Sequence, residues 1–167
     1  MYNSSRELVE TLRASIDTLT TLLDNVTQEQ ALAARGGDEN WSILEVVCHL
    51  RDAEEHALGR MQTIRDAVNP RIAGFDQEAW ARERDYLAAD LQNAFAAFVY
   101  LRTQHVEELA SLTADQWARS GLHQEHGPVT IGNHTLHMVW HDAVHMAQVA
   151  RQLASHKGAK TEPVSRP

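Results

Sequence analysis

Apolar side chains recur every three or four residues over four long segments, the spacing that places them on one face of an α-helix. The segments are residues 5–26, 42–69, 86 or 90 to 112, and 130 to about 154. No stretch alternates apolar and polar residues as a β-strand does, and no repeat occurs at a fixed period. The pattern therefore predicts an all-α protein, a four-helix bundle in a single domain, because each helix must bury its apolar face against the others.

Two capping boxes indicate where helices begin. Thr27 is followed by Gln30 and Ser42 by Glu45, so in each pair the hydroxyl can accept from the backbone N–H three residues later, and the later side chain can accept from the backbone N–H of the capping residue. The first pair predicts a short helical turn, and the second predicts the start of the second long helix. Thr113 opens another predicted short turn.

Three segments lie outside the long helices. Residues 70–85 are irregular, with a turn of helix predicted at 77–83, and residues 121–128 form a loop that carries His123 and His126. The predicted bundle domain covers residues 1–155. Residues 156–167 lack apolar periodicity, which predicts a mobile C-terminal tail.

Charge and composition narrow the possible functions. The chain has 15 Lys and Arg against 23 Asp and Glu, a formal net charge of −8, so we expect no nucleic acid and no membrane as partner. The acidic side chains of the second helix, Asp52, Glu54 and Glu55, are interpreted as solvated surface. The longest apolar run, residues 94–101, is too short for a bilayer, and the start has no secretory signal. These features predict a cytoplasmic protein. The expected partner is a small-molecule substrate.

Cysteine and histidine usage limits the kind of metal site. One cysteine, Cys48, allows neither an intramolecular disulfide nor a thiolate cluster within one chain, so a metal would need His or carboxylate ligands. We interpret Cys48 as a core residue and Trp41 as a packing anchor. Five of the ten histidines fall between His123 and His141, which directs attention to the fourth helix.

Four histidines share one face of that helix. At 100° per residue, His134, His137 and His145 lie within about 40° of His141. The spacing of four puts the Cβ atoms of His141 and His145 about 5–6 Å apart, which suits two imidazoles on one ion. His49 in the second helix can face the bundle interior as the third candidate. Three imidazoles leave other positions on the ion for water or substrate.

Other polar residues near this face have less direct predicted roles. His134 and His137 are expected to line a cavity or hydrogen-bond a ligand, and Gln148 to orient a histidine or line the pocket. Asp142 either accepts a hydrogen bond from a ligand, acts as a general base, or faces solvent. A zincin-type protease is excluded, because Asp142 is one methylene shorter than the glutamate of that motif.

Two segments resemble the DinB/YfiT-like family. They are Trp41-Ser-Ile-Leu-Glu-Val-Val-Cys-His-Leu50 and His141-Asp-Ala-Val-His-Met-Ala-Gln148, and the resemblance covers residues 5–155. It implies a four-helix bundle, frequently a homodimer, with one divalent transition metal, commonly nickel or zinc. The implied metal ligands are His49, His141 and His145.

The resemblance also implies a range of activities. Members of the family include thiol-dependent S-transferases and isomerases that use low-molecular-weight thiols, and hydrolase-like proteins. The function predicted first is therefore a metal-dependent S-transferase with a thiol cosubstrate. A metal-dependent hydrolase and a non-catalytic metal- or small-ligand-binding module are the alternatives.

Overall fold

The computed structural model describes residues 4–36, 40–74 and 76–161, with side chains described to residue 156. The helices within these residues are α1 (Ser5–Leu23), α2 (Gln28–Ala33), α3 (Ile43–Asp66), α4 (Gln77–Glu83), α5 (Leu91–Ser111), α6 (Ala114–Trp117) and α7 (Ile131–Thr161). The short strands are β1 (Arg35–Gly36), β2 (Trp41–Ser42), β3 (Arg71–Ile72), β4 (Ser120–His123) and β5 (Gly127–Thr130). A 3₁₀ turn at Tyr86–Ala88 precedes α5.

The four long helices α1, α3, α5 and α7 form the bundle. Both α1 and α3 pack against α5 and against α7, so α1 and α3 occupy opposite corners although they are consecutive long helices. This arrangement places α3 and α7, the two helices with the candidate ligands, side by side. The predicted all-α four-helix bundle is confirmed.

The helix boundaries follow the capping chemistry. The Ser42 hydroxyl accepts from the backbone N–H of Glu45, and Glu45 accepts from the backbone N–H of Ser42 at 2.8 Å. The predicted boxes at Thr27 and Thr113 are also present. α1 ends at Leu23, three residues earlier than predicted, because Asn25 adopts a left-handed conformation with φ 59°.

Short strands correct the prediction of a strand-free chain. β4 and β5 form an antiparallel hairpin where a loop was predicted at 121–128, and β3 pairs parallel with β4. Strands of two to four residues are too short to produce a detectable alternation. A Cβ on Gly121 would lie 2.8 Å from Cγ1 of Ile72, so only glycine permits this close approach.

The last helix is longer than the pattern predicts. α7 continues to Thr161 rather than ending near residue 154, so it includes the first six residues of the predicted tail. Residues 162–167 lie outside the described part of the chain, and the mobility of the tail stays a prediction. Among the described helices, none is sufficiently long and apolar to span a bilayer.

The core consists of two apolar layers with a polar layer between them. One apolar cluster surrounds Trp41, Tyr86 and Phe98, and the other surrounds Leu12 and Met61. Between them, at the same level of the four helices, lie the buried side chains of Ser15, Glu54, Arg102 and Asp142. The bundle is therefore stabilised by hydrophobic burial at both ends and by a charged network in the middle.

Candidate metal centre

Three histidines from two neighbouring helices converge between α3 and α7. Nε2 of His49 lies 2.9 Å from Nε2 of His141. One ring nitrogen each from His49, His141 and His145 lies within 4.8 Å of the other two. The ring centroids of His145 are 4.6 Å from His49 and 4.5 Å from His141. The structure thus brings together the three residues that the sequence singles out as ligands.

Packing around His49 fixes its position. Its side chain is 1% exposed, and its ring centroid lies 5.1 Å from that of Trp41, which is itself buried as predicted. Cys48 is fully buried on another face of α3, and burial raises the pKa of its thiol to about 11. A protonated, buried thiol is a core residue, as the sequence analysis interprets it.

The histidines carry lone pairs that a metal can use. Burial, with the nearby His141 and His145 rings, lowers the pKa of His49 to about 2, so His49 is neutral near pH 7. Nδ1 of His145 lies 2.9 Å from Oε1 of Gln148, an acceptor, so Nδ1 carries the proton and Nε2 keeps its lone pair. Gln148 in turn donates to the carbonyl of Gly36 at 3.3 Å.

This donor set fits a divalent transition metal ion. Neutral imidazoles are the ligands that zinc, nickel and copper accept, and three of them leave positions for other ligands. A hydrogen bond from the second ring nitrogen to a neighbouring acceptor is the usual way to orient such a ligand. Gln148 is placed to supply it for His145, and its role in orienting a metal ligand stays a prediction.

An open cavity of about 710 Å³ extends from the three histidines toward the β4–β5 hairpin. His134, His137 and Gln148 line it, as predicted from their positions on α7. The volume falls in the range of small-molecule sites, roughly 300–1,000 Å³. The candidate metal position therefore has access to a substrate-sized space.

Asp142 lies outside this cavity and is not solvent-facing, which corrects one of its predicted alternatives. It is 3% exposed and forms two hydrogen bonds with Arg102, at 2.5 and 3.1 Å. Burial alone would raise the pKa of Asp142, but Arg102 and His141 together outweigh burial, and the pKa is lowered. Its Oδ1 lies 4.0 Å from Nδ1 of His141. This charged carboxylate thus faces the rear of a candidate ligand, and its contact with Arg102 argues against a general base.

Comparison with known proteins identifies the family. The model of the DinB superfamily matches residues 11–149, most of the chain, including all three histidines. The chain belongs to the DinB superfamily.

Two relatives of this chain are both named as putative metal-dependent hydrolases. "Putative metal-dependent hydrolase OB0413" of Oceanobacillus iheyensis is 23% identical over 135 residues, 81% of this chain and 78% of that protein. "Putative metal-dependent hydrolase YfiT" of Bacillus subtilis is 27% identical over 113 residues, 67% of this chain and 64% of that protein.

A solved structure of Bacillus subtilis YfiT has the same fold. It matches with a TM-score of 0.83 at 23% identity, over 91% of this chain and 87% of that chain. It is described as a probable metal-dependent hydrolase with an unusual four-helix bundle topology. The similarity confirms the predicted fold for this DinB superfamily member.

The polar layer of this DinB superfamily chain was not predicted from its sequence. Glu54, predicted to be solvated surface, is fully buried and bonds Arg102 at 2.7 Å and Nδ1 of His105 at 2.8 Å. Asp52 is also buried, and accepts from the hydroxyl of Tyr86 at 2.7 Å. Arg102 and His105 stand four and seven residues after buried Phe98, and this core-face spacing is the signal that could have revealed them.

A second group of possible ligands lies at the far end of the cavity. His123, Glu125 and His126 offer ligand atoms within 4.8 Å of one another, but Glu125 and His126 are more than 70% exposed. Nδ1 of His123 accepts from the backbone N–H of Glu125 at 3.2 Å, and its Nε2 lies 3.5 Å from the guanidinium of Arg60. Because a neighbouring cation disfavours metal binding, this group is a much poorer metal site than the buried one.

Proposed function

We propose that this protein is a metal-dependent hydrolase whose metal is held by His49, His141 and His145. The observation that carries the proposal is the convergence of three imidazole nitrogens at one end of a cavity of about 710 Å³. The relatives named as metal-dependent hydrolases support the same chemistry. Nickel and zinc both suit an all-imidazole donor set, so either is a candidate for the ion.

The metal ion would supply Lewis acidity, which lowers the pKa of a water molecule or polarises a carbonyl oxygen. The side chains have separate duties around it. Gln148 keeps the proton of His145 on Nδ1, and the buried Asp142 presents its negative charge toward Nδ1 of His141. Both interactions hold the rings in place and favour electron donation by the ring nitrogens.

His137 is the proposed proton acceptor within the cavity. It lies one turn before His141, with ring centroids 6.3 Å apart, and its side chain lines the same space. Burial, with His141 and Arg60 nearby, lowers the pKa of His137, so it is neutral near pH 7 and can accept a proton. A general base placed in this way contributes typically 10²–10⁴-fold to a rate.

The thiol-dependent S-transferase is retained as a second candidate. A transferase must hold a thiol and an electrophile together, and the cavity of about 710 Å³ has room for two small molecules. The two candidates differ in one requirement: the transferase is inactive without an added thiol, whereas the hydrolase needs only water. A non-catalytic module would be inactive with both.

Metal content of the purified protein is the direct test. We expect the wild-type chain to bind about one nickel or zinc ion, and His145→Ala to lose it with its helical circular dichroism retained. His126→Ala, the same change at an exposed histidine of the hairpin, is the matched control and should retain the metal. A wild-type protein that takes up neither ion, or an His145→Ala protein that binds it as tightly, would contradict the proposal.

Activity assays then divide the candidates. Metal-loaded protein is assayed on panels of esters, amides and electrophiles, with and without low-molecular-weight thiols. Turnover without thiol favours the hydrolase, turnover only with thiol favours the transferase, and inactivity throughout favours the module. The homodimer and the cytoplasmic location stay predictions. For the homodimer, the exposed side chains of Leu136, Trp140 and Val144 on α7 offer an apolar surface.

A further inference from the structure

The cavity has the opposite charge balance to the chain that surrounds it. The whole chain has a formal net charge of −8. The described lining of the cavity, by contrast, has two arginines against one carboxylate, a net charge of +1 with its seven histidines counted as neutral. The arginines are Arg60 and Arg151, and the carboxylate is Glu125. A cationic recess in an acidic protein favours an anionic ligand, because it offsets the repulsion from the rest of the surface.

Arg60 is the less exposed of the two arginines in this recess. One guanidinium nitrogen, Nη2, donates to the carbonyl of Ala73 at 2.8 Å and lies 2.8 Å from Nε2 of His56. Both partners are neutral acceptors. Nε of Arg60 is buried with no hydrogen-bond partner. Among the described residues, no carboxylate oxygen lies within 4.0 Å of this guanidinium.

The other partly or fully buried arginines on the bundle helices have acidic partners, whereas Arg119, outside those helices, donates to the backbone carbonyls of Ile64 and Ala67. Arg102 pairs with Glu54 and Asp142, and Arg51 pairs with Asp52 at 2.6 Å. Burying a charge without a partner is costly, so proteins normally pair such groups. Arg60 departs from this rule at the wall of a cavity, where a ligand can supply the missing negative charge.

Arg60 lies on the same face of α3 as His49 of the candidate metal centre. It follows His49 by 11 residues on α3, which places the two within about 20° on the helix face and about 16 Å apart along the axis at Cα. His134 and His137 line the cavity from the facing helix α7. A substrate that reaches both ends would therefore carry its anionic group apart from the bond that reacts.

We propose that Arg60 binds an anionic group, a carboxylate or phosphate, of a substrate whose reacting end lies at the three histidines. This inference rests on the proposed function for the reacting end, but anion binding by Arg60 can be measured without it. His123, whose Nε2 lies 3.5 Å from Arg60, is positioned to contact the same anion. The substrate class is thus an acidic small molecule.

Anion binding to the metal-free full-length protein is the test. The probes are succinate and inorganic phosphate, with neutral succinamide as the uncharged counterpart, and binding is followed by NMR, including the Arg60 side-chain Nε–H signal. We expect saturable binding of at least one anion and none of succinamide. Arg60→Gln should weaken anion binding by roughly tenfold or more, because a hydrogen bond to a charged group is lost.

Matched variants keep the result interpretable. Arg13→Gln makes the same charge change on the exposed surface of α1 and should bind the anion as wild type does. Arg60→Lys keeps the charge and should retain part of the affinity. The proposal is overturned if Arg60→Gln binds the anions as tightly as wild type, if neither anion saturates, or if Arg151→Gln alone abolishes binding. Since the protein is metal-free, these outcomes do not depend on the metal-content test above.

Discussion

Two polar clusters lie side by side on the same helices and have opposite characters. His141 belongs to the histidine cluster at the cavity, whereas its neighbour Asp142 belongs to the buried network with Arg102 and Glu54. In the network, each charged group finds its counter-charge within the chain. In the histidine cluster, neutral nitrogens converge on one another and on a cavity, with no counter-charge among them.

The difference indicates which cluster stabilises the fold and which serves a ligand. A closed network of opposite charges holds helices in register, and its removal is felt in the free energy of unfolding. A convergent set of ring nitrogens gains little from the chain itself, because at most one of two facing nitrogens can donate to the other while the remaining lone pairs stay unused. Such a set is accounted for by an external ion. The following predictions test this division, from the largest expected effect to the smallest.

The largest effect is expected for Arg102→Met. The change leaves the buried carboxylates of Glu54 and Asp142 without a cation, so the free energy of unfolding should fall by about 3–5 kcal/mol. Urea denaturation of the metal-free protein measures it. Arg82→Met, which removes an exposed arginine 3.8 Å from Glu78, is the control and should change stability by less than about 1 kcal/mol. Equal losses in the two variants would mean that the network does not stabilise the bundle.

Acid sensitivity should follow from His134, which lies on the cavity wall and is 4% exposed. Burial, with the charges of Arg60 and His105, lowers its pKa to about 3 in the folded state. The unfolded chain has an ordinary histidine pKa of about 6.5, so it binds the proton first as the pH falls. The stability that the fold gains by keeping His134 neutral is therefore complete above pH 6.5. It is lost as the pH falls below 6.5, so the free energy of unfolding should drop by about 2 kcal/mol between pH 7 and pH 5.

The variant His134→Gln isolates this contribution. Its unfolding free energy, measured across the same pH range, should fall less steeply than that of wild type. Parallel curves for the two proteins would show that His134 is not held neutral by the fold. Other buried histidines titrate in both proteins, so the difference between the curves reports His134 alone.

The smallest effect is expected for Gln148→Leu. Losing the acceptor for Nδ1 of His145 frees the ring to rotate and to change tautomer, so metal affinity should fall by roughly tenfold or more. Gln152→Leu is the control, because Gln152 also donates to the carbonyl of Gly36 but lies a further turn along α7 from His145. Isothermal titration with zinc measures both. If Gln152→Leu weakens binding equally, the loss reflects the position of the Gly36 backbone rather than the orientation of His145.

Much of the fold and of the histidine site could be predicted, because both depend on local spacing. Helix periodicity and the Ser42 capping box depend on residues within a few positions of one another in the sequence. His141 and His145, four residues apart, share a face in any helix. The position of His49 followed from its place beside the apolar stripe. The family resemblance added the pairing of these two distant segments.

The polar layer and Arg60 could not be predicted in the same way. Asp52 and Glu54 look like surface residues in the sequence, because a carboxylate is buried only when a cation from elsewhere is present to meet it. Arg102 stands 48 positions from Glu54 and 40 from Asp142. No local pattern in the sequence encodes such a contact. Nor does one encode that, among the described residues, no carboxylate oxygen lies within 4.0 Å of the Arg60 guanidinium.

The sequence by itself determined the helices, their caps, the histidine face of α7 and the family. Only the tertiary structure decided which charges are paired and which face a cavity, since that depends on which corners of the bundle the helices occupy. Local periodicity acts over one or two turns, whereas burial of a charge is decided by groups brought together from four separate helices. For this reason Asp142 and His141, adjacent in the chain, have different roles.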